Sequence, residues 1–136
     1  MYLLDTNIFL EFLLDQNKAD DVERLLRTVP KERFYISENS LYSVGIILFR
    51  RKLFDVFVRF VEDIIITGGI KLLRISAEDT KKLAEVSQRF NLDFDDAYQY
   101  TVAERYGLTI VSFDNDFDCT EKGCKTPKDV LEKLFR

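Results

Sequence analysis

Met1–Leu10 reads MYLLDTNIFL. Tyr2, Leu3 and Leu4 form a short apolar run that stops at Asp5, and after Thr6 and Asn7 a second apolar run, Ile8–Leu14, begins. Asp, Thr and Asn side chains satisfy the free N–H groups of a helix's first turn. The stretch therefore predicts a buried strand passing directly into a helix, and a helix apolar almost all round is itself a buried one. One question stays open at this junction. The Asp5 carboxylate is either only a cap or one member of an acidic site.

Strand and helix alternate along the rest of the chain. Ala19, Val22, Leu25, Leu26 and Val29 keep helical spacing until Pro30, which ends that helix. Arg33–Ile36 (RFYI) predicts a second strand. Leu41, Val44, Ile47 and Leu48 make a helical stripe running into the basic cluster Arg50, Arg51 and Lys52, and Phe54, Phe57, Phe60, Val61 and Ile64 make another. Gly68 and Gly69 break the chain before a third strand, Ile70–Ile75. Ser76 and Asp79 stand at capping-box spacing ahead of a helix through Phe90. After a loop at Asn91–Phe94, Asp95 or Asp96 opens a further helix, with Gly107 as its C-terminal stop. Leu108–Ser112 (LTIVS) is the last strand, and Thr126 with Pro127 starts a final helix to Phe135. Uniformly apolar short strands alternating with helices predict a three-layer α/β/α fold around a parallel sheet of four to five strands.

The 136 residues are 46% hydrophobic and 32% charged, which suits a single domain over residues 1–136 with its own core. Charges interrupt every apolar run before the ~18 residues of a membrane span, so no membrane contact is expected. No basic segment precedes the first apolar run, as a signal peptide requires, and a cytoplasmic protein is expected. Cys119 and Cys124 then read as ordinary thiols. The chain has no histidine, which excludes Ser-His-Asp and Cys-His nucleophile systems and most zinc sites. The net charge of −4 argues against a general basic groove for nucleic acid. It leaves room for a local basic patch, for which Arg50, Arg51 and Lys52 are candidates beside their plainer reading as a solvated helix end.

Open parallel sheets bind ligands outside the carboxyl ends of their strands, and acids collect there. Asp5 follows the first strand, Glu38 the second, and Asp114 and Asp116 the last, while Asp96 opens the helix leading into LTIVS. Each has a plain reading: Asp5 and Asp96 as caps, Glu38 as a solvated loop residue, Asp114-Asn115-Asp116 as a turn. Asp114–Asp118 also begins like a calcium loop, but Cys119 and Lys125 occupy the positions of its glycine and its bidentate Glu. Their shared placement argues for a site. Unpaired carboxylates held together repel unless cations neutralise them, and oxygen-only ligands suit Mg²⁺ or Mn²⁺.

Three motifs in order resemble the PIN domain, the metal-dependent ribonuclease fold of VapC-type toxins: Asp5-Thr6-Asn7 between apolar runs; Asp96-Ala97 with Ala103 seven residues after the Asp; and Ser112-x-Asp114-x-Asp116-Phe117 after a strand. The resemblance runs from LLDTNIFL to TPKDVLEKL, nearly the whole chain. It implies RNA phosphodiester hydrolysis, with Asp5, Asp96 and Asp114, joined by Glu38 and Asp116, holding one or two Mg²⁺ or Mn²⁺ ions. Thr6, Asn7 and Ser112 would support those ligands or bind phosphate. An antitoxin protein and a second copy of the chain are the implied partners. One departure stands out. The family carries an acid in the helix after the second strand, where this chain has Ser43. Glu38 lies five residues earlier, which on one helix means ~7.5 Å of rise and ~140° of rotation, so Glu38 would replace that acid from the end of the strand rather than from the same helix face. The alternatives are a PIN fold that binds RNA or protein without cutting, or another acidic-pocket domain of the phosphatase or receiver kind.

Overall fold

The computed structural model describes residues 1–135. Its sheet has four strands, β1 (Tyr2–Leu4), β2 (Phe34–Ser37), β3 (Lys71–Leu73) and β4 (Thr109–Val111), in the order β3-β2-β1-β4. All three pairings are parallel. A single parallel bridge from Val111 to Lys125 extends the sheet beyond β4 without adding a strand. Among the described residues seven α-helices surround it: α1 (Thr6–Leu13), α2 (Ala19–Thr28), α3 (Glu38–Arg50), α4 (Phe54–Phe60), α5 (Thr80–Phe90), α6 (Phe94–Tyr106) and α7 (Pro127–Leu134).

Alternation along the strands makes the layers. Leu4, Phe34, Ile36 and Val111 point into one core with residues of α1, α2, α3, α4 and α7. Leu3, Tyr35 and Ile110 point into a second core with residues of α5 and α6. Both faces of the sheet are thus covered, as parallel sheets require. Phe60 belongs to the first core, 5.3 Å ring to ring from Phe9, with Phe57 packed against it. The α4 aromatic stripe is therefore largely core, and only Phe54 is left outside.

The local signals explain the element ends. Asp5 caps α1, accepting from the Thr6 N–H, so the helix starts two residues before the apolar run. The Ser76/Asp79 capping box forms as spaced, Thr126 caps α7 ahead of Pro127 and adds a box with Asp129, and Gly107 ends α6 with φ of 65°, a left-handed conformation that suits Gly. Three boundaries differ. The Ser37 hydroxyl caps α3 by accepting from the Ser40 N–H, so Glu38 is already the first helical residue. Asp93, not Asp95 or Asp96, caps α6, and Asp96 sits in the first turn with its N–H bound to Asp93 Oδ1 at 2.9 Å. The helix begun by α4 continues as a π-helical turn, Val61–Ile66. There a Cβ on Gly68 would lie 2.1 Å from the Asp63 carbonyl oxygen, so glycine is needed for closeness rather than for φ. Among the described residues no helix is long and apolar enough to cross a membrane, and both cysteines are free.

Candidate metal centre

Strand order reverses between β1 and β4, where parallel sheets place their ligands. Asp5 leaves β1 at that point, and its backbone N–H still bonds the Val111 carbonyl. Its side chain is 6% exposed. Asp5 Oδ1 accepts from the Thr6 N–H at 2.8 Å and from Gln99 Nε2 at 3.0 Å, and Oδ2 accepts from the Ser112 hydroxyl at 2.8 Å. About three of the four lone-pair sites of the carboxylate are thereby used, which fixes its orientation. Asn7 clamps the same corner, donating to Ser112 Oγ at 3.0 Å and accepting from the Phe113 N–H at 3.2 Å. Thr6 donates to Ser40 rather than into the site.

Asp96, Asp114 and Asp116 each offer an oxygen within 4.8 Å of the others. Asp114 is oriented by its own turn: its N–H bonds Ser112 Oγ, and its Oδ1 accepts from the Asp116 N–H. Asp96 is 8% exposed. Burial, then the carboxylates of Asp93 and Asp5, push its carboxyl up to about 8, with Asp116 and Asp114 adding to the effect. Burial also raises Asp5, against the hydrogen bonds from Ser112, Thr6 and Gln99, and Asp114 adds to the rise. None of the ion pairs among the described residues reaches these acids. Two oxygens bound to one Mg²⁺ or Ca²⁺ at ~2.0–2.6 Å lie no more than ~5 Å apart, so the spacing and the oxygen-only donor set fit a divalent cation.

Glu38 stands outside this trio. Its carboxylate accepts from the Tyr42 hydroxyl at 2.6 Å and borders a separate cavity of about 390 Å³ with Arg74, Phe94 and Tyr98. Ser43 is half-buried on α3. Gln99 is the functional residue that sequence reasoning passed over. It is 1% exposed and joins Asp5 to the Ser37 hydroxyl, which donates to Gln99 Oε1 at 2.5 Å. The available signal was its spacing, three residues after Asp96 and so on the same helix face. Cys124 also lies nearby, its thiol within 3.4 Å of the Asp114 carbonyl. Burial first and the surrounding acids second push that thiol up to about 11, so it stays protonated and unreactive.

The PIN domain family model matches residues 2–123. The chain belongs to the PIN-domain family. No curated protein matches the sequence. Solved structures that share this PIN fold include VapC20 of Mycobacterium tuberculosis, a sarcin–ricin loop cleaving toxin, with a TM-score of 0.77, 19% identity, and 90% of this chain and 96% of that one covered. A toxin–antitoxin complex from Klebsiella pneumoniae aligns with a TM-score of 0.74 at 19% identity, covering 93% and 98%. FitAcB from Neisseria gonorrhoeae aligns with a TM-score of 0.72 at 20% identity, covering 94% and 99%. Identity this low speaks to the fold. With the PIN family established, the phosphatase and receiver alternatives fall away.

Proposed function

We propose that this PIN domain is a metal-dependent endoribonuclease, the toxin of a toxin–antitoxin pair acting in the cytoplasm. The observation that carries the reading is the trio Asp96, Asp114 and Asp116, three carboxylates within ligand distance of one another and without a cationic partner. We assign these to Mg²⁺ or Mn²⁺, with Asp5 as the buried fourth acid. Glu38 is the further candidate, following Ser37 and so the link through Gln99 to Asp5. A divalent cation supplies Lewis acidity, acidifying water and neutralising charge that develops on a phosphate during hydrolysis. The chain's own residues prepare for it. Ser112, Gln99 and the Thr6 N–H hold Asp5 in one orientation, and Asn7 holds Ser112. Asp96 carries a proton up to about pH 8 without a cation, so ligation by Asp96 requires release of that proton.

The antitoxin partner is supported by the toxin–antitoxin neighbour and by an apolar cavity of about 300 Å³ between α1 and α4, lined in part by Phe12, Val56 and Phe60. A homodimer is supported by Tyr42, Ile46 and Phe49, each more than half exposed on one face of α3 although Phe49 packs edge-on against Phe54 and Phe57, an exposed apolar stripe of the kind that marks interaction surfaces. The non-cutting reading has one observation in its favour, Ser43 where the family carries an acid. Incubation of single-stranded RNA with the protein decides between them. Cleavage is expected with Mn²⁺ or Mg²⁺, none with EDTA, and a loss of about 10²–10³-fold in Asp114→Asn, the scale of one lost charge contact in a transition state. An intact RNA after incubation with the parent and Mn²⁺ would favour the non-cutting reading.

A further inference from the structure

An acidic centre repels the polyanion it is to bind, so cations must stand beside it to hold the strand. One cavity is lined by chain neighbours and hydrogen-bond partners of the centre rather than by its acids. It has a volume of about 340 Å³, within the ~300–1,000 Å³ of small-ligand pockets, and its wall includes Asn7 and Phe113. Both residues belong to the acidic corner. Asn7 holds Ser112, and Phe113 lies between Ser112 and Asp114. Lys18 and Arg51 line it as well. Of the basic run Arg50-Arg51-Lys52, only Arg51 borders this cavity. Lys18 is set by its backbone, which donates to Glu11 Oε2 at 3.1 Å, and its ammonium lies over the Phe113 ring, 5.1 Å from the centroid. The groove thus holds a half-buried aromatic ring covered by the exposed Lys18 ammonium, together with exposed Arg51 and one acid, Glu11, engaged by the Lys18 N–H. For a base to stack there, the ammonium has to move from the ring to a phosphate.

We propose that this groove seats the RNA nucleotide next to the scissile phosphate, with Phe113 stacking on its base and Lys18 and Arg51 contacting its flanking phosphates. The assignment rests on the ribonuclease reading and adds the path of the strand. Stacking on an aromatic ring with nearby cations is sequence-tolerant, because every base has a π-face. It would position the substrate without selecting a base, leaving recognition to other parts of the rim.

The test measures affinity of a short fluorescent single-stranded RNA for the Asp114→Asn protein, which keeps the RNA intact, in Mg²⁺ over a range of salt. Lys18→Ala with Arg51→Ala is expected to weaken binding and to reduce the slope of log affinity against log salt by about 1.4, since each lost phosphate contact on a single strand removes about 0.7. Phe113→Leu is expected to weaken binding about tenfold, and Phe113→Tyr to retain it. Phe113 packs partly on the core, so its variants are compared at equal fractions folded. Lys18 and Arg51 are exposed, and the double variant carries the test if Phe113→Leu unfolds. RNA affinity and salt slope unchanged in both variants would overturn the groove while leaving the nuclease reading intact. The same holds if the variants lose only a protein partner and keep RNA. If Asp114→Asn binds no RNA and the parent cleaves none, both readings fail together.

Discussion

Raising the pH in the presence of a chelator is expected to destabilise this protein between about pH 5 and pH 8, and Asp96→Asn to remove the share of that loss due to Asp96. Burial and the neighbouring carboxylates lift Asp96 from 3.8 to about 8 in the folded chain, whereas an unfolded Asp titrates near ~3.9. Between those values the unfolded state binds fewer protons, so stability falls with rising pH. The contribution is fully present below about pH 4 and gone by about pH 8. At ~1.36 kcal/mol per unit the shift sets a ceiling of about 5–6 kcal/mol. Asp116 is exposed and can turn toward solvent, relieving part of the repulsion. We expect about 2–3 kcal/mol, or ~10 °C in Tm for a chain of this size. Asp5, raised chiefly by burial, adds a slope of the same sign that Asp96→Asn would retain. Asp79 and Asp129 are lowered, first of all by the backbone hydrogen bonds of Ser76 and Thr126. Their stabilisation is lost only as pH falls below about 4, so they are flat in this window. The raised Cys124 thiol acts only above about pH 9, where an unfolded thiol ionises. The assay is thermal or guanidinium unfolding in EDTA, parent against Asp96→Asn. Parallel stability curves for the two proteins across the window would refute the reasoning, because they would mean that folded Asp96 ionises like an unfolded Asp.

Mg²⁺ or Mn²⁺ is expected to raise Tm, by about 2.7 kcal/mol of stability at one hundred times Kd. Asp5→Asn with Asp114→Asn should abolish the rise, and a melting curve indifferent to both ions in the parent would count against the centre. Glu38→Gln is expected to slow metal-dependent RNA cleavage by about 10²-fold and Ser43→Ala to leave it near the parent's rate. A silent Glu38→Gln would leave Asp5, Asp96, Asp114 and Asp116 as the full acidic set. Gln99→Leu would strand the buried Asp5 and Ser37 partners and should cost about 1–3 kcal/mol in unfolding, with Asp5 less firmly oriented. A loss under ~0.5 kcal/mol would show that the bridge contributes little.

The amino-acid sequence alone determined the parts of this protein that depend on neighbours along the chain. Asp5 ends a strand and caps a helix, Ser76 with Asp79 and Thr126 with Pro127 start helices, Gly107 stops one, and apolar strands alternate with helices. Those features are short-range, because a cap or a periodic face is set by hydrogen bonds and burial within a turn or two. The placement of acids at strand ends was legible for the same reason. Tertiary structure decided which side chains meet. The order β3-β2-β1-β4 puts Asp5 beside Ser112, 107 positions away in the chain. Burial on both sides of α6 turns Gln99 inward to grip Asp5, 94 positions away. Side-chain direction gathers Asp96, Asp114 and Asp116 within 4.8 Å and gives Glu38 to Tyr42 instead. No local signal encodes the meetings across the sheet, whereas Glu38 and Tyr42 are neighbours four residues apart on one helix. The cross-sheet meetings arise when segments distant in sequence pack against one sheet, and the desolvation of Asp96 and its repulsion by Asp5 and Asp114 exist only once they have done so, while that by Asp93 is local.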